Sequence, residues 1–515
     1  MKFSELIKEL DPVQIIGAAP DLEVKGLAYD SRKVGPGYIF VALKGLAADG
    51  HAFLAQAAKA GSPVVVVETE DPSLADLCQV VVPDTRAALS RLAHVFYQRP
   101  SRDMRTVGIT GTNGKTTVSY LVESVLAQQG PVGVIGTVDL RWPGHREPAA
   151  MTTPESLDIH AALAQMRADR ADQAVLEVSS HALAQKRADN VALDAAVFTN
   201  LSRDHLDYHK DMEDYFQSKK RLFTELLPKW KKTGKKGLAV VFNDDARGAG
   251  LAAETRALGV ETLTYGLDSE ADIRPVDLEL TIEGIKLTVK SPMGVFMVNS
   301  PLVGRFNAAN LLAGAAVGLG LGMEPALVAQ GLCSLKGVPG RLEKVGVSSQ
   351  GPLVFVDYCH TDDALRQALS VLRPLCPGRL ICVFGAGGDR DHGKRPLMGL
   401  AVARGADLAV LTSDNPRTED PLSIMEMIEP GLVEGGALKT LDPANAQSGA
   451  YVTEPDRAKA IALAVKSAGP GDVILIGGKG HEDYQIIGRE KRHFDDRQEA
   501  ARALGLVWPK EAANA

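Results

Sequence analysis

Residues Met104–Leu126, MRTVGITGTNGKTTVSYLVESVL, constrain the fold more than any other stretch of the chain. Met104 to Ile109 read as a buried strand. Gly111 and Gly114 relax a turn, and from Thr116 onward a helix places Val118, Leu121, Val122 and Leu126 on one face. A strand that passes through such a turn into a helix aims successive backbone N–H groups and a helix N-terminus at one point, which suits a phosphate. Lys115 adds a positive charge, and the hydroxyl of Thr116 can reach a magnesium ion. One position departs from the general pattern. A glycine belongs five residues before Gly114, where this chain has Ile109, with Gly108 one place too early.

A chain of 515 residues calls for two to four domains. The 50 glycines and 5% aromatic residues suit tight strand–helix connections better than an aromatic-rich all-β protein. A net charge of −7 gives no bulk electrostatic reason to bind nucleic acid. The five cysteines are scattered without ligand-like spacing and fit a reduced compartment. Lys2, Glu5, Lys8 and Glu9 break up the N-terminus, which does not read as a secretory signal. Ala308 to Val328 is the most apolar helix-length segment; its Asn310, Glu324 and many small residues read as a packed core helix, not a membrane span. The expectation is a soluble cytoplasmic protein.

Short strands and helices alternate throughout, with breaks near Arg102 (QRPSRDM) and Val338 (GVPGRLEKV). These breaks predict three α/β domains, 1–102, 103–338 and 339–515. Between Ala271 and Leu302 an every-second-residue alternation suggests antiparallel strands decorating the central parallel sheet. The polar motifs sit at strand ends, where open parallel sheets carry their sites. AVLEVSSHAL ends a strand with Glu177, Ser179, Ser180 and His181, a carboxylate placed for magnesium beside Thr116. FTNLSRDHLDYH offers Asp204, His205, Asp207 and His209. In the last region VDYCHTDDAL carries Asp357 and His360, and GGDRDHGKRP crowds Asp389, Arg390, Asp391, Lys394 and Arg395 into one loop. TSDNPRTEDP adds Asn415 and Arg417; ILIGGKGHEDYQ adds Gly478, Lys479, His481 and Glu482. Arginine suits two-pronged carboxylate contacts and glutamate can hold an ammonium, so these loops suit a small zwitterion.

Taken together, GTNGKTT, TTP, EVSSHAL, NLSRDHLDYH, GRLE, DYCHTDDAL, GGDRDHGKRP, DNPR and GKGHE resemble the ATP-dependent Mur ligases of bacterial peptidoglycan assembly. Within that family they are most similar to the branch that adds the third amino acid to UDP-N-acetylmuramoyl-L-alanyl-D-glutamate. The resemblance runs from Asp30 to Gln498. It implies a small N-terminal α/β domain for the uridine nucleotide, a central P-loop ATPase-like parallel sheet with antiparallel additions, and a C-terminal Rossmann-like domain for the amino acid. It assigns ATP to Gly111, Thr112, Asn113, Gly114, Lys115, Thr116, Thr117, Asn310, Arg341 and Asp357. Magnesium falls to Thr116, Glu177, His205 and a carbamylated Lys219, and catalysis to Lys115, Glu177, His205 and Lys219. From residues alone the pair Lys219–Lys220 reads as an ordinary solvated helix face; only the resemblance promotes it.

The resemblance further implies that Ser31, Arg32, Lys44, His51, Thr152, Thr153, Ser179 and Arg187 hold the UDP-muramoyl dipeptide. Arg390, Asp414, Asn415, Pro416, Arg417, Gly478 and Glu482 hold the amino acid, with Lys394 near the nucleotide or the reaction centre. DNPR has the form found in meso-diaminopimelate-adding enzymes, and Arg417 is the group to pair with the carboxylate that lysine lacks. The implied reaction joins meso-2,6-diaminopimelate to the D-glutamate γ-carboxylate through an acyl phosphate, with ATP as co-substrate and Mg2+ as cofactor. No nucleic acid, membrane insertion or obligate protein partner is implied. Ligation of L-lysine, another ligase of the superfamily, and a non-catalytic nucleotide-switched scaffold are the alternatives. Two positions depart from the common DYAHTPDAL form, Cys359 for alanine and Asp362 for proline. The latter removes a rigid turn and adds a charge.

Overall fold

The structure, a computed structural model, describes residues 1–508 apart from 11, 19, 46–47, 348–350 and 447. They pack into two compact units. One comprises residues 1–274, 290–294 and 310–331; the other comprises 275–289, 295–309 and the chain from 332 onward.

The first unit holds two sheets. The N-terminal five-stranded sheet runs in the order Gln14–Ile16, Cys78–Val81, Val64–Val67, Tyr38–Val41, Gly26–Ala28, parallel except for its first strand. The eight-stranded sheet runs Glu261–Tyr265, Leu238–Phe242, Ala195–Phe198, Arg105–Thr110, Gln173–Glu177, Val132–Ile135, Asp139–Trp142, His145–Pro148. Its first six strands are parallel and the last two antiparallel. Strand Arg105–Thr110 lies at its centre and is buried on both faces, which is why it reads as an unbroken apolar run. The register pairs Ile109 with Glu177 and Thr110 with Phe198. Three loops therefore leave adjacent strands at one edge: the glycine-rich turn, VSSHAL and TNLSRDH.

Helix Lys115–Leu126 follows the turn and buries Val118, Leu121, Val122 and Leu126 as expected, together with Thr116, Thr117, Ser119 and Tyr120. It is enclosed on every side. Gly331 shows how tightly: a Cβ there would fall 2.6 Å from the Val125 Cα, and the Ser124 hydroxyl donates to the Gly331 carbonyl at 2.7 Å. The apolar stretch from Ala308 forms the end of helix Arg305–Gly320 and the start of Pro325–Ser334, with Ala308, Leu311, Leu312, Ala315 and Ala316 buried. Among the described residues no helix is long and apolar enough to cross a membrane.

The second unit is built on a seven-stranded sheet, Glu343–Val347, Leu353–Asp357, Val473–Gly477, Leu380–Phe384, Leu408–Leu411, Ala450–Thr453, Leu438–Lys439. Only its first pair is antiparallel. Asp357 pairs with Gly477 and Phe384 with Leu411, so the loops carrying DYCHTDD, GGKGHE, GAGGDRD and TSDNPR leave from one edge. The alternating segment after Ala271 corrects one expectation. Strands Arg274–Leu280, Ile285–Ser291 and Gly294–Ser300 form a three-stranded sheet of their own, and the antiparallel additions to the eight-stranded sheet are Asp139–Trp142 and His145–Pro148. Alternation reports a half-buried sheet but not which sheet the strands join. The Asp362 departure is also explained. It occupies the first turn of helix Asp362–Leu372, behind the Thr361 cap, where proline is favoured for its fixed φ and a carboxylate for the helix dipole.

In the first unit, helix Thr85–Phe96 of the N-terminal region packs on helix Ser156–Ala168 through His94 and His160, whose rings meet edge-on at 5.2 Å. Trp230 lies 5.4 Å from His94. Among the described residues neither imidazole, nor the indole N–H, has a hydrogen-bond partner. Burial pushes both histidines down to about 3, with Arg102, Arg99 and Lys229 adding repulsion at His94. The unfolded chain therefore takes up protons that the folded one refuses. This contribution is complete above the ordinary histidine pKa of about 6.5 and is lost as the pH falls toward 3. Urea unfolding between pH 7 and pH 5 should show stability falling by up to about 1.4 kcal/mol per pH unit for each imidazole. His160→Phe should shallow that slope by one imidazole's share.

Candidate active site

The glycine-rich turn is held from outside by the next strand end. Thr199 Oγ1 donates to the Asn113 carbonyl at 2.6 Å, Asn200 Nδ2 donates to the same oxygen at 3.1 Å, and Asn200 Oδ1 accepts from the Asn113 amide at 2.9 Å. Two glycines make this approach feasible. Gly111 (φ +149°) would place a Cβ 1.9 Å from Thr199 Oγ1, and Gly114 (φ +85°) would place one 2.7 Å from Asn310 Oδ1. That second contact brings Asn310 against the turn. The Thr112 hydroxyl meets Tyr215 Oη at 3.1 Å and accepts from the Ser202 amide at 3.0 Å. Thr117 is buried beneath the turn. Lys115 Nζ folds back on the Gly111 and Thr112 carbonyls at 2.9 and 2.8 Å.

Glu177, 1% exposed, lies beneath this turn. It accepts from Thr116 Oγ1 at 3.0 Å, Ser119 Oγ at 3.4 Å, Thr137 Oγ1 at 2.8 Å and the Thr137 amide at 3.0 Å. Gly136 leaves room for it, since a Cβ there would fall 2.5 Å from Glu177 Oε1. Sequence reasoning missed Thr137. No local signal marks it: it follows the strand that pairs with Glu177's own, and only that pairing brings it beside the carboxylate. Among the described residues no three His, Cys, Asp or Glu converge as a metal cage. One carboxylate and one hydroxyl, both hard oxygen donors, nevertheless fit magnesium, which keeps several waters and takes further oxygens from nucleotide phosphates.

Lys219 also reaches the turn, and is no solvated helix face. It is 1% exposed, donates to the Gly111 carbonyl at 2.8 Å and lies 4.4 Å from the Tyr215 ring centre. Burial, reinforced by Lys115 and opposed by Asp204, holds its ammonium well below the ordinary lysine range. Lys220 instead pairs with Glu254 at the surface. His205 adopts φ +54° and stands 5.9 Å from Tyr215 and 4.9 Å from His181, ring centre to ring centre. Burial lowers His205 and brings His181 to about 4, the latter aided by His205 and His209, so both are neutral imidazoles at pH 7. His209 is structural: buried, it bridges Ser180 Oγ at 2.9 Å and Asp214 at 3.1 Å.

The TTP segment is tied to the same centre. Thr152 Oγ1 accepts from Thr137 at 3.2 Å, and Thr153 Oγ1 donates to the Glu177 carbonyl at 2.8 Å while accepting from the Ser179 amide at 3.0 Å. Ser179 caps helix Ser180–Ala184. Arg187 donates to the Thr153 carbonyl at 2.8 Å and pairs with Glu155 at 3.2 Å. Glu155, also missed, pairs with Arg86 of the N-terminal region at 3.2 Å. In that region Ser31 donates to Gln56, Arg32 forks onto Asp30, and Lys44 pairs with Glu68 at 2.7 Å. His51 accepts the Glu68 amide on Nε2 at 3.0 Å, which leaves Nδ1 to donate to Asp49 at 2.7 Å.

In the second unit Asp414 and Asn415 are buried, and Asn415 Nδ2 donates to Glu482 Oε2 at 3.0 Å. Arg417 (φ +52°) donates to the Gly388 carbonyl at 2.7 Å, and the Pro416 carbonyl approaches so closely that a Cβ on Gly388 would fall 1.9 Å from it. Gly478 (φ +123°) lies against Asp414, and Arg390 is exposed on its loop. Asp357 accepts from the Leu342 amide at 2.7 Å; burial raises its carboxyl, offset by Arg341. Arg341 lies over the Tyr358 ring at 5.3 Å. Lys394 donates to the His360 carbonyl at 3.0 Å, and burial lowers its ammonium. Arg395 leaves the charged-loop group: fully buried, it forks onto Glu419 at 2.9 Å with both nitrogens.

Three family models match in succession: Mur ligase family catalytic domain over residues 23–97, Mur ligase middle domain over 109–318, and Mur ligase glutamate ligase domain over 340–480. A UDP-N-acetylmuramoyl-L-alanyl-D-glutamate--2,6-diaminopimelate ligase of Geobacter sulfurreducens is 45% identical over 512 residues, covering 98% of this chain and 99% of its own length. The chain belongs to the Mur ligase family. An enzyme of the same name from Gloeobacter violaceus is 45% identical over 486 residues, 94% of each chain. A solved structure of a ligase so named superposes with a TM-score of 0.70 at 34% identity, covering 98% of this chain and 99% of that one. MurF from Acinetobacter baumannii, at 20% identity and a TM-score of 0.62, shares the fold. The three-domain α/β architecture of the Mur ligases is thus present here.

Arg457 was also missed, and it anchors two of the loops of the second unit. It is fully buried with Asp496, forked at 2.7 Å by two nitrogens, and donates to the carbonyls of Gly477 at 3.0 Å and Ser413 at 3.3 Å. Those carbonyls immediately precede Gly478 and Asp414. Arg457→Met strands the Asp496 carboxylate and should cost about 3–5 kcal/mol in urea unfolding of the intact chain. Arg457→Met with Asp496→Leu, which removes both charges, should recover most of that loss.

Proposed function

We propose that this Mur ligase is the ATP-dependent, amide-bond-forming enzyme that adds 2,6-diaminopimelate, in its meso form, to UDP-N-acetylmuramoyl-L-alanyl-D-glutamate during cytoplasmic peptidoglycan precursor synthesis. The observation that carries this reading is the near-complete alignment at 45% identity with ligases of that name, joined to a DNPR–GKGHE network in which Asn415 and Glu482 are already paired. Residues 1–102 take the uridine end, 103–338 ATP and the dipeptide, and 339–515 the amino acid.

The D-glutamate γ-carboxylate attacks the γ-phosphorus of ATP, the bond to ADP breaks, and an acyl phosphate forms. The diaminopimelate amine then attacks the acyl carbon, inorganic phosphate leaves, and the amine gives up a proton. The backbone amides of residues 111–116 and the Lys115 ammonium, released from its carbonyl partners, offset charge on the phosphates. Thr116 and Glu177 would hold magnesium, with His205 and a carbamylated Lys219 placing a second ion. When bound, magnesium would neutralise charge on the nucleotide phosphates. Asn310 would hold the adenine. Arg187, Thr152, Thr153 and Ser179 orient the dipeptide, and Ser31, Arg32, Lys44 and His51 the uridine diphosphate.

Lys219 is suited to carbamylation because its surroundings favour the neutral amine, the form that reacts with carbon dioxide. The amine nitrogen bonds to the carbon of carbon dioxide, one C=O π pair moves to oxygen, and the nitrogen proton leaves to solvent. Growth in 13C-bicarbonate should give a carbamate carbonyl resonance that Lys219→Ala lacks, and the variant should lose at least about 100-fold in turnover, as removal of a transition-state charge contact does.

Phosphate release with the muramoyl dipeptide should depend on meso-diaminopimelate, with a product heavier by its residue mass, and L-lysine should serve poorly. Arg417→Ala should lower kcat/KM for diaminopimelate by about 10- to 100-fold while changing that for lysine little. Turnover with lysine alone would overturn the assignment of Arg417, and no turnover with either would overturn the reaction.

A further inference from the structure

Between the two loops of the amino-acid site lies an ammonium that no step above uses. Lys479 is fully buried. Its Nζ donates to Asn415 Oδ1 at 2.9 Å, meets Glu482 Oε2 at 3.4 Å and lies 3.8 Å from Asp414 Oδ1. Two glycines turn it inward. Gly478 (φ +123°) would place a Cβ 2.6 Å from Asp414 Oδ2, and Gly480 (φ +55°) one 2.7 Å from the Tyr358 Cβ.

Hydrogen-bond bookkeeping at Asn415 makes the lysine decisive. The amide oxygen accepts from Lys479 and from the Ile486 N–H at 3.0 Å, so it is saturated on both lone pairs. The NH2 end must then face Glu482, where it donates at 3.0 Å. A flipped amide would set its NH2 against an ammonium and an N–H, and its oxygen against a carboxylate. Lys479 also meets two carboxylates, the buried Asp414 and the half-buried Glu482, with Arg457 acting on both and Lys394 on Asp414.

We propose that Lys479 is the positioning residue of the amino-acid site: its ammonium fixes the Asn415 amide, and through it Glu482, in the orientation that receives the ammonium end of the substrate. This rests on the reading of Asn415 and Glu482 as amino-acid ligands. Lys479 touches neither ATP nor the dipeptide in that reading, so its effect is confined to one substrate.

The test is Lys479→Met in the full-length enzyme, with KM and kcat for all three substrates and amide hydrogen exchange at Ile486 without substrate. The expected result is a rise of about 10- to 100-fold in KM for diaminopimelate, the size of a lost hydrogen bond to a charged group. KM for ATP and the dipeptide should stay within about twofold, and exchange at Ile486 should quicken at least about tenfold. An unchanged KM for diaminopimelate, or an equal loss toward all three substrates, overturns the proposal. If the single variant does not fold, Lys479→Met with Glu482→Gln compared with Glu482→Gln alone takes the same readings. Absence of wild-type turnover would count against the reaction, whereas unchanged Ile486 exchange would count against Lys479 whatever the substrate.

Discussion

A buried carboxylate organises the first unit. Glu177 ends a central strand, and among the described residues its hydrogen-bond partners are three hydroxyls and a backbone amide, none of them a cation. A full negative charge almost shut off from water is costly unless a positive charge completes it. Hydroxyls from helix Lys115–Leu126 and an amide from the neighbouring strand end keep it aimed. Such oxygen-donor surroundings suit a hard divalent cation. The carboxylate is reached by the TTP segment as well, because Thr153 bonds to the Glu177 backbone. The glycine-rich turn, Glu177 and the TTP segment are therefore mechanically one object.

The parallel sheet makes this economical. Strands in register deliver their loops to one edge, so residues distant in sequence, such as Thr110, Glu177 and Thr199, arrive side by side. The second unit repeats the device with different chemistry. There the loops after Asp357, Phe384, Leu411 and Gly477 leave from one edge, and two buried cations, Arg457 and Lys479, tie together the pair that follows Leu411 and Gly477. Arg457 ties the strand ends and Lys479 ties the side chains that follow them. Exposed loops with this much charge would otherwise sample many conformations; anchoring their roots to buried ion pairs restricts them to one.

Much of the candidate site was legible because its residue types are rare in such spacing. GTNGKTT, a carboxylate at a strand exit and DNPR each state a chemistry that a surface loop does not need. Residues whose role lies in their neighbours were not legible. Lys219 beside Lys220 reads as a solvated helix face until burial separates them, and Arg395 reads as part of a charged binding loop until Glu419 is found beside it. His209 sits in a run of metal-capable groups yet is occupied by Ser180 and Asp214. Thr137 carries nothing in its own sequence context; only strand pairing places it on Glu177.

By itself the sequence determined the alternation of strands and helices, the phosphate turn, the helix that buries Val118, Leu121, Val122 and Leu126, and the family to which the motifs belong. These follow from local physics: side-chain periodicity, glycine where φ is positive, and charge at strand ends. Tertiary structure decided which sheet each strand joined, which of two adjacent lysines was desolvated, and which charged residues were scaffolding. Those outcomes depend on how much water each group keeps and on what faces it across the fold, and neither quantity exists until distant segments have packed.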